Sequence, residues 1–351
     1  MKLFRWYYGP LLVLGAWWLP TIEANAETDV ETNAVSVACR AGMNTAAGST
    51  GNVNIGSKIT PANAHNASLT VTLIYSCTNL GSTAGTVSVC LGADGGSYNP
   101  TNISPRYMSI NSPGTNPRLA FTMTQNNILW GTRNGSGSEY NSGARPIAAG
   151  STIKGQTDIT FSLVSDPSNV NATPGVYTSS FLEKGNTTLR YEDGDHTNPN
   201  ADCTKGIQAI FRFPFTVEAT VIPSCEITAK PTDINLKNIA ASSTNTKGST
   251  SIGVTCTNGA AYNIGLAPSN GNVNGAGIMT GTIPNSDVIP YQLQSTDGTA
   301  WGHTLPAESI KNGVADKGTG VNQSHIVHVV VPSADFKSDD YSDIVNISVN
   351  Y

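Results

Sequence analysis

The chain has 351 residues, of which only 12% are Asp, Glu, Lys or Arg, whereas glycine supplies 35 residues and proline 19. Such sparse charge and frequent turn residues exclude both a long coiled coil and a charge-driven disordered chain. The formal net charge is −5, and the 19 basic residues are spread thinly. A nucleic-acid partner is therefore not expected.

The N-terminus predicts a secretory signal peptide over residues 1–26. Lys2 and Arg5 precede an apolar stretch from Leu11 to Leu19, and Ala24-Asn25-Ala26 fits a small-x-small cleavage site. The apolar stretch is shorter than the roughly 20 residues that span a bilayer, so an uncleaved membrane anchor is the less favoured alternative. The mature chain would begin directly after the cleavage site.

Short runs in which apolar and polar residues alternate predict an all-β fold. Gly, Asn, Pro and Ser clusters separate these runs, and no window of ordinary helix length keeps a 3.6-residue period without Gly or Pro. Representative runs are Leu69–Tyr75, Ile159–Val164, Ile326–Val331 and Ile344–Val349. We predict immunoglobulin-like β-sandwiches.

A long-range repeat indicates two similar domains. Cys77-Thr78-Asn79 recurs as Cys256-Thr257-Asn258, in each case with a cysteine upstream. Further along, an apolar strand precedes Trp130-Gly131 in the first half and Trp301-Gly302 in the second. We predict a first domain over residues 27–213 and a second domain over 214–351.

The six cysteines all lie after the predicted signal peptide. An even number in an oxidising compartment favours three disulfides, and the absence of Cys-x-x-Cys spacing argues against a structural zinc site. The repeat leaves one pairing, which is Cys39 with Cys77, Cys225 with Cys256, and Cys90 with Cys203.

The two halves differ at their ends. After the strand at 176–181, the first half continues into another alternating segment, Ile207–Phe213. The second half has no counterpart of that segment, because its own strand matching 176–181 ends at Tyr351. We expect the second domain to lack its last strand and to accept one from another chain, as in chaperone–pilin donor-strand complementation. Residues 27–34 are short and polar, so we expect the chain to receive a strand without donating one and to stand at the tip of a polymer.

The second half resembles a known family. The segment Phe215–Cys225, the Cys256-Thr257-Asn258 strand, Pro290–Leu293 before Trp301-Gly302, and the closing Asp340–Tyr351 are similar to the spore coat protein U domain. This domain is the pilin domain of archaic chaperone-usher pili, such as Csu-type pili. The resemblance covers residues 214–351 better than 27–213.

The resemblance implies a tip adhesin that promotes surface attachment and biofilm formation. The implied partners are a periplasmic pilus chaperone, an outer-membrane usher, a neighbouring pilin subunit that gives a donor strand, and a host or abiotic hydrophobic surface. The implied location is the periplasm and then the cell surface at the pilus tip. The alternatives are a shaft or adaptor pilin and, from another class, a secreted carbohydrate-binding protein.

Long loops in the first domain are the expected binding region, because insertions on a rigid sandwich commonly carry function. Apolar residues in them would form an exposed contact patch, unless they pack back on the sandwich. Tyr107, Met108 and Ile110 are favoured because they stand among Ser, Asn, Pro and Gly. The further candidates are Ile103, Tyr140, Leu189 and Tyr191.

Catalytic motifs are absent from the sequence. There is no Gly-x-Ser-x-Gly, no His-Glu-x-x-His and no phosphate-binding glycine loop followed by Lys. Glu192-Asp193-Gly194-Asp195 could offer oxygen ligands to calcium, but the EF-hand spacing is missing and a solvated turn is favoured. We predict a non-enzymatic protein with no cofactor, metal or catalytic residue.

Overall fold

The structure is a computed structural model that describes residues 35–44, 51–111, 114–132, 137–195, 199–205, 212–303 and 313–351. The predicted signal peptide and the polar segment 27–34 lie outside these residues. Residues 34–351 group as one compact unit. Within the described ranges no helix has the length and apolar character needed to cross a membrane.

The fold is all-β, as predicted. The first half contains short strands and one helical turn: β1 Val37–Asn44, β2 Asn52–Ile59, β3 Ser68–Asn79, β4 Gly85–Ala93, β5 Arg106–Ser109, β6 Arg118–Gln125, β7 Ile128–Leu129, β8 Tyr140–Asn141, β9 Arg145–Ile147, β10 Thr152–Leu163, α1 Pro167–Val170, β11 Gly175–Ser180, β12 Thr187–Gly194 and β13 Thr216–Val221. The second half contains β14 Cys225–Ala229, β15 Thr244–Cys256, β16 Ala261–Pro268, β17 Ala276–Thr280, β18 Val288–Gln294, β19 Val314–Lys317, β20 Asn322–Ser333 and β21 Val345–Asn350.

Two sheets form a sandwich in the first half. The larger has the order β1-β3-β10-β6-β5-β11-β13-β2 with β7 on β6, and the smaller has the order β12-β4-β8 with β9 on β4. Apolar side chains from both sheets meet in one core around Trp130, Phe161 and Phe215, because alternation along each strand directs every second residue inward.

The second half repeats this plan with fewer strands. Its sheets have the orders β14-β15-β20-β18-β17 and β19-β16-β21, and their inward faces meet around Trp301, Tyr291 and Ile264. Pairing between strands of the described chain is antiparallel in both halves, with the exception of β13, which runs parallel to β2.

The last strand of the first sandwich differs from the predicted one. Of the predicted segment Ile207–Phe213, residues 207–211 lie outside the described ranges, and Phe213 is buried but not in a strand. The strand that completes the sheet is β13, because Val217, Ala219 and Val221 alternate inward. It lies beyond residue 213, where we placed the first domain's end, and the division at 213/214 remains a prediction.

Three disulfides form with the predicted pairing. They join Cys39 to Cys77, Cys90 to Cys203, and Cys225 to Cys256. The first and third bridges link residues that face each other directly across paired strands, β1 with β3 and β14 with β15. Each half is thus cross-linked at the equivalent strand pair.

Candidate functional site

Equivalent tryptophans show which strands of the two halves correspond to each other. Trp130 Nε1 donates to the carbonyl oxygen of Leu91 on β4 at 3.0 Å, and Trp301 Nε1 donates to that of Ile264 on β16 at 2.7 Å. β12 pairs with β4, and β21 pairs with β16. β21 therefore takes the place of β12.

The strand β13 has a defined place in the first half. It pairs antiparallel with β11, from Gly175 opposite Val221 to Ser180 opposite Thr216, and parallel with β2. Val217 and Ala219 are fully buried between these neighbours. β13 thus closes the gap between β11 and β2.

No strand in the described part of the second half occupies the corresponding place. The segment Ile234-Asn235-Leu236 resembles Val53-Asn54-Ile55 of β2 in sequence, but it forms no strand pairing. Ile234 and Leu236 are only partly buried against the second core, whereas Val53 and Ile55 are buried. We call residues 234–239 together with 342–350 the open edge.

The core of the second half is correspondingly exposed at the open edge. Among the residues that the structure describes, the first core has 33 buried members and 7 partly buried ones, whereas the second has 12 and 10, so nearly half of the second core's apolar side chains there remain in contact with water. Val345, Ile347 and Val349 of β21 are among the partly buried ones. Ile344 is 73% exposed. An apolar surface of this kind indicates a site for a partner.

Polar contacts hold the chain just before β21. Tyr291 Oη donates to Asp343 Oδ2 at 2.5 Å, and Ser342 and Thr280 pair through two backbone hydrogen bonds of 3.0 and 3.1 Å. Burial and the hydrogen bond to Asp343 raise the pKa of Tyr291, so its phenol stays protonated. The open edge is therefore a fixed surface on this side.

Three predicted contact residues are buried, which corrects the expectation that they stand at exposed loop tips. Ile103 is 4% exposed, Leu189 1% and Met108 0%. Met108 faces Leu119 across β5 and β6, and Leu189 faces Leu91 across β12 and β4. Met108 and Leu189 belong to the interior because strand pairs replace the predicted loops there, whereas Ile103 is buried in the loop before β5.

The other four predicted contact residues are half-buried. Ile110, Tyr140 and Tyr191 pack against the first core. The ring centroid of Tyr107 lies 4.0 Å from the guanidinium carbon of Arg118. The structure therefore does not bring the seven candidates together as one apolar patch.

Other apolar side chains of the first half are exposed. Leu80, in the turn after β3, is 69% exposed, Ile128, on the β6–β7 hairpin, is 55% exposed, and Leu182 is 48% exposed. The sequence analysis missed them. The available signal was their position at turns, since Gly81 follows Leu80 directly and Asn126-Asn127 precedes Ile128.

Charged side chains also lie inside the first half. Arg106 is fully buried and donates to four backbone carbonyls, those of Ala93, Asp94, Ile103 and Trp130. Burial lowers the pKa of Arg106 to about 9, although nearby Asp94 opposes the shift. Arg190 pairs with Glu139. The hydrogen bonds of Arg106 and the Arg190–Glu139 pair hold the surrounding chain segments in place, and we assign no catalytic role to these side chains.

Metal-binding geometry is not found among the described side chains. No group of three or more His, Cys, Asp or Glu residues converges there. The acidic run 192–194 belongs to β12, and Asp193 accepts a hydrogen bond from the backbone N–H of Val37 at 3.3 Å. The predicted solvated acidic turn is thus largely a strand.

The comparison with family models decides the nature of the second half. A model for the Spore Coat Protein U domain matches residues 212–348. These residues are a Spore Coat Protein U domain. The predicted family is therefore confirmed, and with it the interpretation of the chain as a structural, non-enzymatic protein. The matched range contains β13 and the second sandwich up to residue 348, within β21.

Solved structures give weaker likenesses. The chaperone–tip adhesion subunit complex of Csu pili from Acinetobacter baumannii matches at 12% identity and a TM-score of 0.46, covering 90% of this chain and 100% of that one. The CupB6 tip adhesin of Pseudomonas aeruginosa matches at 11% and 0.36, covering 90% and 94%. No functional conclusion follows from likeness at this level. The search of curated proteins found no match.

Proposed function

We propose that this chaperone-usher pilus subunit is the adhesin at the tip of an archaic-type pilus. Its Spore Coat Protein U domain is completed first by a strand of a periplasmic chaperone and, after passage through an outer-membrane usher, by a strand of the neighbouring subunit. Its first half attaches the pilus to a host or abiotic surface and thereby promotes biofilm formation. The chain is exported to the periplasm and displayed on the cell surface.

The observation that carries this proposal is the contrast between β13 and the open edge. β13 shows within the same chain how a strand fills the place between two neighbours of this fold. By equivalence, a donor strand would lie parallel to residues 234–239, as β13 lies parallel to β2. It would lie antiparallel to 342–344, because Ser342 pairs with Thr280 of β17 as Thr178 of β11 pairs with Ser109 of β5. Alternate apolar side chains would cover Ile234, Leu236 and Ile347, as Val217 and Ala219 do in the first core.

The completeness of the first half supports the adhesin role. Because β13 closes it internally, the first half needs no strand from a neighbour and is free to serve another purpose than assembly. Its exposed apolar side chains Leu80 and Ile128 stand on turns, where a surface can reach them. They replace the buried residues as the favoured contacts with a hydrophobic surface.

The decisive experiment gives the second half its own strand. The mature chain is extended after Tyr351 by a flexible linker as long as the β12–β13 connection and a second copy of residues 215–221; we call this the extended chain. In the matched control, the copies of Val217 and Ala219 are changed to aspartate. We expect only the extended chain to purify as a monomer whose two halves both unfold cooperatively without a chaperone.

Purification of the unextended mature chain as a stable monomer, with cooperative unfolding of both halves, would contradict the need for a donor strand. The position in the fibre is tested separately with a labelled antibody against the first half. Label confined to one fibre end supports the tip. Label along the fibre would identify a shaft or adaptor subunit.

A further inference from the structure

A polar cavity lies where residues of the first half approach those of the second. Its volume is about 590 Å³, within the usual range for small-molecule sites. Two prolines and six polar residues line it, namely Asn116, Arg118, Ser168, Asn171, Thr173 and Asn258. The cavity is thus unlike the apolar open edge, and its lining suits a hydroxyl-rich ligand.

Arg118 supplies the cavity with a held positive charge. Its guanidinium carbon lies 4.0 Å from the ring centroid of Tyr107 and 5.7 Å from that of Tyr98, and Nη1 donates to Tyr98 Oη at 3.1 Å. The buried Nε has no hydrogen-bond partner among the described residues. Asp166, next to Pro167 of the cavity, lies in the field of Arg118: although burial opposes the shift, hydrogen bonds from Ser168 and the charge of Arg118 lower the pKa of Asp166. The salt bridges found in the described ranges, Arg190–Glu139 and Lys205–Asp202, do not include Arg118.

The amides of the cavity offer the complementary groups. Asn171 donates its side-chain amide to the carbonyl oxygen of Pro167 at 3.0 Å, and Asn258 donates its amide to that of Asn171 at 2.8 Å. Their Oδ1 atoms accept no hydrogen bond from the described residues and remain available to ligand hydroxyls. The cavity therefore combines a guanidinium that donates with carbonyl oxygens that accept.

We propose that this cavity binds a sugar that carries a carboxylate. The guanidinium of Arg118 would take the carboxylate through paired hydrogen bonds, which a lysine cannot imitate. The amide oxygens of Asn171 and Asn258 would accept from the sugar hydroxyls. The inference goes beyond the proposed pilus function, because it requires neither a donor strand nor a place at the tip.

The test titrates the full mature chain, alone or with its chaperone, with three probes by calorimetry. These are 3′-sialyllactose, a hyaluronan tetrasaccharide and neutral lactose. We expect one or both acidic saccharides to bind, with affinity falling as salt rises, and lactose to bind at least about tenfold more weakly. Preference for the first identifies a sialic acid as the source of the carboxylate, and preference for the second identifies a uronic acid.

Three variants locate the site. Arg118→Gln is expected to weaken acidic-saccharide binding about tenfold or more, and Asn258→Ala about threefold, whereas Arg118→Lys retains part of the affinity. Circular dichroism and thermal unfolding confirm that each variant is folded. Equal binding of lactose, no binding of either acidic saccharide, or unchanged binding by a folded Arg118→Gln variant would overturn the proposal. The probe comparison needs no variant and stands even if one fails to fold.

Discussion

The two halves of the molecule use the same devices on cores of very different completeness. Each has a disulfide between its first two paired strands of the larger sheet, and each has a tryptophan that donates to a carbonyl of the facing sheet. Each also has a tyrosine lying over a glycine on the neighbouring strand, Tyr75 over Gly155 and Tyr291 over Gly277. The contrast teaches that these local devices specify the fold, while a single strand determines whether the core is covered.

Removing the equivalent disulfides should produce the largest difference in stability between the two halves. The bridges close loops of similar length, with separations of 38 and 31 residues, so each removal costs about 4 kcal/mol through the freed unfolded chain. In the extended chain, we expect Cys225→Ala/Cys256→Ala to unfold the second half, whereas Cys39→Ala/Cys77→Ala leaves the first half folded. Urea titration with limited proteolysis identifies the surviving half. Loss of both halves at the same urea concentration in both variants would show that their stabilities do not differ.

Replacing the glycine under each tyrosine with alanine should have a smaller effect on stability. A Cβ at Gly155 would stand 2.2 Å from Tyr75 Cζ, and one at Gly277 would stand 2.0 Å from Tyr291 Cζ. We expect each Gly→Ala change to cost about 1–3 kcal/mol, because the ring must leave a packed position. Gly277→Ala should additionally weaken donor-strand binding, since Tyr291 holds Asp343 beside the open edge.

The matched control for this second effect is Tyr291→Phe, which removes the hydrogen bond and keeps the ring. Thermal unfolding of the extended chain measures stability, and binding of a synthetic peptide of residues 215–221 to the unextended chain measures the open edge. Equal peptide binding by Gly155→Ala and Gly277→Ala would show that the tyrosine over Gly277 has no part in holding that edge.

Acidification should produce the smallest difference in stability between the two halves. Burial lowers the pKa of His325 below its usual 6.5, although the charge of Asp316 opposes this, and Tyr262 Oη lies 2.8 Å from its Nε2. Since the folded-state pKa is the lower one, this stability is present above pH 6.5 and is lost as pH falls through the folded-state value. We expect the second half of the extended chain to lose stability below pH 6.5, and His325→Gln to remove that dependence.

Features set by neighbouring residues could be predicted from the sequence. Alternation along the chain predicts strands, and the recurrence of Cys-Thr-Asn predicts that Cys39 meets Cys77 as Cys225 meets Cys256. Both signals are carried by residues inside one short segment and by a repeat of that segment. The all-β fold and the disulfides follow from them.

Features set by distant pairing could not be predicted. Met108 stands among loop-forming residues, yet the four-residue strand β5 pairs with β6 and buries it opposite Leu119. Arginine is usually a surface residue, but Arg106 lies in the interior, where carbonyl oxygens from three separate chain segments surround it. The polar cavity depends on Arg118 and Asn258, which are far apart in the chain. The sequence around either residue does not indicate that it lies near the other.

The connection from β13 to β14 determines how a mechanical force on the second half is transmitted to the first half. β13 runs directly into Ile222-Pro223-Ser224, where Thr257 N donates to Ser224 O at 2.9 Å and Thr257 Oγ1 donates to Ile222 O at 2.9 Å. Tension on the second half therefore reaches the C-terminal end of β13. The component of that load along the strand axis acts on the hydrogen bonds to β11 and β2 together in shear, so the first half resists axial extraction of its strand better than peeling.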